Sequence, residues 1–234
     1  MAEQIIPKNQ TLNIVKYDYR IIYAKQGRAK YISHLDLMRT MQRIFKRCKL
    51  PVWFTQGFNP HAYIMFPLAL PLGTDSDCEI MEIALTEKLD FDEVKQRINS
   101  VMPEGMKVLS VYEPQMKHTE ISGAEYIVKI KPFNDVECLK KSFQDFLNSD
   151  SIVIDKRTKK KGINKVNIKP YIEVVSLCIT DNMLELCLKL PCGNEFTLNP
   201  QTVVEAFLSL CDIKADEIWT YRTKIFCSRG ELFH

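Results

Sequence analysis

No stretch of about 18 apolar residues occurs anywhere in this 234-residue chain, so no membrane-spanning helix is predicted and no membrane partner is expected. The opening Met1-Ala2-Glu3-Gln4-Ile5-Ile6-Pro7 lacks a basic segment running into a long apolar one, so no secretory leader is predicted and a cytoplasmic location is expected. Closely spaced cysteine pairs are missing too. Of Cys48, Cys78, Cys138, Cys178, Cys187, Cys192, Cys211 and Cys227, only Cys187 and Cys192 approach the spacing at which two ligands grip one ion, and no second pair follows. Cys187 lies in an alternating pattern where a small apolar side chain suffices. In a reducing cytosol all eight read as thiols rather than disulfides. A three-cysteine cluster able to hold an iron–sulfur centre is absent, so no metal and no radical chemistry are predicted for this chain alone.

A strong net charge is also lacking, at +3. That average conceals an asymmetry. Residues 20–49 carry nine bases (Arg20, Lys25, Arg28, Lys30, Arg39, Arg43, Lys46, Arg47, Lys49) against Asp36 alone. Residues 156–169 carry seven (Lys156, Arg157, Lys159, Lys160, Lys161, Lys165, Lys169) against no acid. The other 190 residues net −12, so the positive field is confined to two segments, as an electrostatic footprint for a polyanion would be built. With 46% apolar and 26% charged residues the chain is otherwise an ordinary globular one.

Periodicity predicts α+β architecture. A strand at 19–24 leads through a Gly27 turn to a helix at 33–49, with Ser33 and Asp36 spaced as a capping box. Leu37, Met41, Ile44, Phe45 and Cys48 form one helical face, while Arg39, Arg43, Lys46 and Arg47 fall about 200° away on the solvent side. Loops at 55–61 and 67–77 flank a short apolar segment at 62–66; a strand at 78–85, a helix at 91–102 and a strand at 107–112 follow. The second half reads as strand 126–131, helix 136–147, strand 152–155, a hairpin of 173–180 with 183–190 across Asp181-Asn182, helix 200–210 and strand 218–226. The order predicts two tandem ferredoxin-like (βαββαβ) units with antiparallel sheets. They would occupy 19–114 and 126–228, joined by a linker at 115–125, with a loose lead-in at 1–18 and a tail at 229–234.

Three segments carry candidate chemistry. Around the first helix start, Arg28, Lys30, His34 and Arg39 surround free N–H groups suited to a phosphate, although Ser33 and Asp36 are equally explained as caps. In Gln56-Gly57-Phe58-Asn59-Pro60-His61, an aromatic beside amide and imidazole groups suits stacking on an unpaired base, or Phe58 is a core plug. In the third, the bases of 156–169 repel one another, which favours a loop or hairpin relieved by phosphate contact over a packed element. His34 and His61, with Asp36, are the candidate catalytic groups, imidazole being the side chain that exchanges protons near neutral pH.

At these segments the sequence resembles the bacterial family of radical SAM-linked proteins, a domain of unknown function. The resemblance rests on residues 31–40 (YISHLDLMRT), 56–61 (QGFNPH), 70–73 (LPLG), and 158–162 (TKKKG) followed by 166–170 (VNIKP), and it spans about 19–226. Members are encoded beside or fused to a radical SAM protein, often with a cobalamin-binding region. The resemblance implies an accessory to RNA modification, with S-adenosylmethionine, the iron–sulfur cluster and cobalamin all belonging to the partner. Two departures stand out: Ala62 where the family usually has a second proline, and Asn167 and Lys169 where an acid and an arginine are usual. A catalytic acid there would be lost in this chain.

The expectation is therefore a non-catalytic RNA-binding module presenting tRNA or rRNA to a radical SAM enzyme, with no DNA partner predicted. Arg28, Lys30, His34, Arg39, Arg43, Arg47, Gln56, Phe58, Asn59, His61, Lys156, Arg157, Lys159, Lys160, Lys161, Lys165 and Lys169 would make the contacts. The alternatives are an RNA-processing or RNA-modifying enzyme using His34 and His61, and a protein–protein adaptor indifferent to RNA.

Overall fold

A computed structural model describes residues 15–133, 135–157, 162–193 and 196–234, without the side chains of Arg157 and Ile163. In chain order the elements are β1 (Tyr17–Lys25), a 3-10 turn (Gly27–Tyr31), α1 (His34–Arg47), β2 (Ile64–Met65), β3 (Thr74–Leu85), α2 (Phe91–Asn99) and β4 (Met106–Tyr112). After a 3-10 turn at His118–Glu120 come β5 (Ile121–Pro132), α3 (Val136–Asn148), β6 (Val153–Arg157) and β7 (Ile163–Asn167). A third 3-10 turn, Lys169–Tyr171, precedes β8 (Glu173–Thr180), β9 (Met183–Pro191), α4 (Pro200–Leu210) and β10 (Ala215–Cys227).

This is a mixed α+β protein with a large, mostly antiparallel sheet in the order β4-β1-β3-β10-β5-β9-β8, to which β2 adds on β3. Two four-stranded sheets were expected; their strands join instead into one eight-stranded sheet, with a small two-stranded sheet apart from it. The reason lies in β3, which begins at Thr74 rather than Cys78. Its polar start, Thr-Asp-Ser-Asp, reads as loop, yet β2 pairs only with Ile83 and Glu82, leaving the early edge of β3 open. There β10 joins in parallel through Thr74↔Thr220, Asp75↔Tyr221 and Ser76↔Arg222. The other boundary differences are small. The segment read as a linker already holds the start of β5, whose small residues Gly123 and Ala124 pair with Pro191 and Leu190 of β9. The strand read at 152–155 pairs with β7 as a separate two-stranded sheet, Ile154 opposite Val166 and Lys156 opposite Asn164.

The apolar stripes account for the packing. Leu37, Met41, Ile44 and Phe45 of α1 and Val94 and Ile98 of α2 bury with Tyr19, Ile21, Tyr23, Met81, Ile83 and Leu85. A second cluster gathers Leu139, Phe143 and Phe146 of α3 and Val203, Val204 and Phe207 of α4 over Val128, Ile130, Leu184, Leu186 and Leu188. Between the clusters, at the β3–β10 junction, lies a buried charged group. Arg222 donates to both carboxylate oxygens of Glu79 (2.9 and 3.2 Å), to the Tyr126 hydroxyl (3.2 Å) and to the Ala69 carbonyl (2.9 Å). Burial alone would lower the Arg222 pKa, but Glu79 raises it, so the guanidinium stays charged. Burial also pushes the neighbouring Cys78 thiol up to about 12, keeping it protonated.

The end of α1 shapes the site described below. The Leu50 N–H bonds back to the Phe45 carbonyl (3.1 Å) and the Lys49 N–H to Lys46 (3.3 Å), with Lys49 left-handed at φ 53°. This six-to-one closure normally uses glycine, which has no Cβ penalty there. Lys49→Gly is therefore expected to stabilise the protein by about 0.5–1 kcal/mol, seen as a higher denaturant midpoint with an unchanged slope.

Candidate nucleic-acid interface

The Ser33 hydroxyl caps α1 by accepting the Asp36 N–H (3.2 Å), and it donates to the Asp36 carboxylate (2.8 Å), which also accepts from Arg39 (3.2 Å). The Ser33 hydroxyl bond, helped by Arg39, holds the Asp36 carboxyl below the usual carboxylate range, so the group stays ionised. The Ser33 cap and its hydroxyl–carboxylate bond account for both residues, although Asp36 does not return the bond to the Ser33 backbone N–H that a full capping box would make. Beyond it, Arg39, Arg43, Lys46 and Arg47 project from the exposed side of the helix. Lys46 and Arg47 also complement the negative end of the helix dipole.

Beside α1, the Gln56–His61 loop is drawn together at its neck. Phe54 bridges to Ala62, and the Thr55 N–H bonds to the His61 carbonyl (2.8 Å). The Thr55 hydroxyl accepts the His61 N–H (3.2 Å) and lies 3.0 Å from His61 Nδ1, which is also 3.1 Å from the Asn59 carbonyl oxygen. Gly57 turns the tip at φ 144°, where a side chain would be strained. Phe58 projects from that tip and is wholly exposed, so it plugs no core. Phe54, 48% exposed, adds a second open aromatic.

Loop and helix enclose one cavity of about 260 Å³. Gln42 and Lys46 of α1 and Phe54, Pro60 and His61 of the loop line it, over Phe45, Leu50, Val52 and Ala62. An apolar floor with an amide, an ammonium and an imidazole at its rim suits a flat, partly polar group, and the volume lies just below that of drug-sized pockets.

The other candidates are placed differently. Arg20, counted among the bases, is buried and donates to Glu82 (3.0 Å through Nε) and the Met116 carbonyl (2.6 Å). Lys25 is buried too, bonding to the Ile32 carbonyl at 2.9 Å, and burial lowers its pKa. Lys30 pairs with Asp75 (3.0 Å), whose other oxygen accepts the Gly27 N–H (2.8 Å), so it braces the turn before α1. Lys169 donates to the Ser149 carbonyl at 2.6 Å, at the end of α3, and serves the fold likewise. Arg28, Gln56 and Asn59 are exposed, as are Lys156 on β6 and Lys165 on β7. Lys159, Lys160 and Lys161, and the Arg157 side chain, lie outside the described residues.

His34 and His61 have different neighbours. His34 stands edge-on to Phe66, ring centroids 5.6 Å apart, while His61 borders Gln42 and Lys46. Gln42 and Lys46 lie eight and twelve residues past His34 on α1. Asn167 has a structural role: its side-chain oxygen accepts the N–H groups of Ile152 (2.9 Å) and Lys169 (3.2 Å), which an aspartate would do equally. Among the described residues no group of three or more His, Cys, Asp or Glu side chains gathers to hold a metal ion, and no helix is long and apolar enough to cross a membrane.

Sequence reasoning missed Gln42 and Phe54 as cavity walls. Phe54 was accessible in principle, since it is an aromatic immediately before the turn-rich loop, but Gln42 becomes a wall only once the loop folds back on α1.

Fold and site together define a mixed α+β protein that sets an exposed aromatic loop beside a basic helix. Residues 18–200 match the bacterial family described as an uncharacterized protein conserved in bacteria (DUF2344), and the chain belongs to that family. No curated protein matches it. Among solved structures it is similar to a chain in the crystal structure of a Cbf5-Nop10-Gar1 complex, with 11% identity and a TM-score of 0.47 over 88% of this chain and 48% of the other. It thus spans about half the length of that neighbour. A crystal structure of an unknown protein from Galdieria sulphuraria is similar at 10% identity, with a TM-score of 0.26 over 89% of this chain and 99% of the other. Likenesses this low say nothing of function.

Proposed function

We propose that this protein is a non-catalytic RNA-binding module, built of two ferredoxin-like units, that presents tRNA or rRNA to a radical SAM enzyme. The two-unit reading is supported by strand order. The first half runs β4-β1-β3-β2 and the second β10-β5-β9-β8, the same fourth-first-third-second order, and each half has its own apolar cluster. The RNA reading is carried by one observation: the loop that bears the wholly exposed Phe58 shares a cavity with Lys46 of α1, while Arg43 and Arg47 border a second cavity on the adjoining side of the same helix. Aromatic stacking for bases and cationic groups for phosphates on one helix–loop surface are the pairing that single-stranded or looped RNA requires. An enzyme using His34 and His61 finds less support, because His34 packs against Phe66 while His61 lines the cavity beside Gln42 and Lys46, and the Asp36 carboxylate is held by Ser33 and Arg39. The radical SAM partner rests on the sequence resemblance, and its cofactors would stay with it.

Binding of the purified protein to total tRNA, followed by fluorescence anisotropy between 50 and 300 mM salt, tests the proposal. Expected are a steep fall of affinity with salt and a loss of about fivefold or more for Phe58→Ala on a looped RNA, with little change on a blunt duplex. Absent or salt-independent binding would overturn the RNA reading and favour an adaptor.

A further inference from the structure

A second aromatic site lies in the other half of the chain, at the foot of the β6–β7 hairpin. The Tyr171 and Phe196 rings stack with centroids 4.4 Å apart and planes 31° apart. The Lys156 ammonium sits 4.1 Å above the Phe196 ring, a cation–π contact that caps this pair from the basic hairpin. Tyr171, in the turn after β7, is still 43% exposed. It borders two cavities: one of about 380 Å³ shared with Phe196, and one of about 340 Å³ also lined by Phe226. Phe196 lines the first cavity and is not among the described residues that line the second, which meets Tyr171 beside Ile172 and Glu173.

The charges around the second cavity are balanced. Lys189 lies over the Phe226 ring (4.8 Å) and 3.9 Å from the Glu173 carboxylate. A balanced pair beside two aromatic rings favours an uncharged planar group over a phosphate, which Glu173 would repel. The positive charge that a phosphate needs stands on the hairpin instead: Lys156, exposed, lies on the face that meets Phe196, while Lys165 is on the other face opposite Asp155.

We propose that this cavity receives an unpaired nucleobase of RNA, stacked on Tyr171, while the flanking phosphates lie along the β6–β7 hairpin. The inference rests on the RNA-binding reading and deepens it: the RNA bound is one with an unpaired base, held at a point separate from the Phe58 loop. A turn that only pinned the hairpin to the sheet would bury its aromatic pair. Here the pair remains open toward a cavity and carries a lysine at its outer end.

The test uses the full chain and an oligoribonucleotide with one 2-aminopurine, single-stranded or annealed into a blunt duplex. Stacking on Tyr171 is expected to change 2-aminopurine fluorescence on binding the single strand. Tyr171→Leu keeps an apolar side chain but removes the ring, and should abolish that change and weaken single-strand binding about tenfold while leaving duplex binding unaltered. Tyr171→Trp should keep both the fluorescence change and the affinity. Equal losses on strand and duplex, or unaltered binding by Tyr171→Leu, would overturn the site while leaving the RNA reading standing. Failure of the wild-type chain to bind either RNA would overturn the RNA reading itself, and this site with it.

Discussion

Glu79→Gln is expected to lower the unfolding free energy by about 3–5 kcal/mol, because it leaves the Arg222 guanidinium buried without its counter-charge. Both side chains are about 1% exposed, and Arg222 has no route to water. Its other partners, the Tyr126 hydroxyl and the Ala69 carbonyl, are neutral. The amide keeps the volume of the acid, so the loss reports charge rather than a cavity. The position magnifies the effect. Only three residue pairs join β3 to β10, so the side chains across the junction carry much of its cohesion. Replacing both partners by apolar residues, as in Glu79→Leu with Arg222→Met, should recover part of the loss, since it removes both buried charges. Urea unfolding of the wild type, the single variant and the double variant measures all three. A single-variant loss below about 1 kcal/mol would show that water or another acid reaches Arg222. A broadened or biphasic transition in Glu79→Gln would show the two halves unfolding apart once the junction is weakened.

Replacing Arg39, Arg43 and Arg47 together by glutamine is expected to weaken RNA binding about a hundredfold at 0.1 M salt and to reduce the log–log salt slope by about 2–3. Each phosphate contact contributes about 0.7–0.9 to that slope, or about five- to eightfold in affinity at this salt. All three side chains are exposed on α1, so the fold should hold within about 0.5 kcal/mol, checked by thermal melting. Arg39 should count for least of the three, since Asp36 already partly neutralises it at 3.2 Å. The control is a variant with the same loss of charge elsewhere: Lys140, Lys141 and Lys214 changed to glutamine. If both triple variants lose affinity equally, binding follows net charge and α1 is no interface.

Much of this was legible in the chain. The four-and-three spacing of Leu37, Met41, Ile44 and Phe45, with Ser33 and Asp36 ahead, specifies α1 and its cap, because both depend on residues within one or two turns. The alternation of β9 and the Asp181-Asn182 turn are equally local; both turn residues adopt positive φ, 52° and 59°, as a tight hairpin turn demands. Thr74-Asp-Ser-Asp was illegible as strand because its polar side chains are satisfied by neighbours distant in sequence: Thr74 accepts from Gln201 and Asp75 binds Gly27 and Lys30. Arg222 likewise reads as a surface base until Glu79, 143 residues earlier, is placed beside it.

The same distinction runs through the charges. By itself the sequence determined that two basic segments stand in an acidic body, that one of them is a helix with its bases on one side, and that a turn-rich loop carries Phe58. The tertiary structure alone decided which bases remain free. Glu82 and Asp75, both from β3, claim Arg20 and Lys30, while backbone carbonyls claim Lys25 and Lys169. Only folding set the Phe58 loop against α1 to enclose a cavity, and placed Tyr171 beside Phe196 under the basic hairpin. Helical periods, caps and turns act between residues a few positions apart and are therefore written locally. Ion pairing, burial and cavity walls depend on distance through space, which the chain acquires only when its strands are ordered into one sheet.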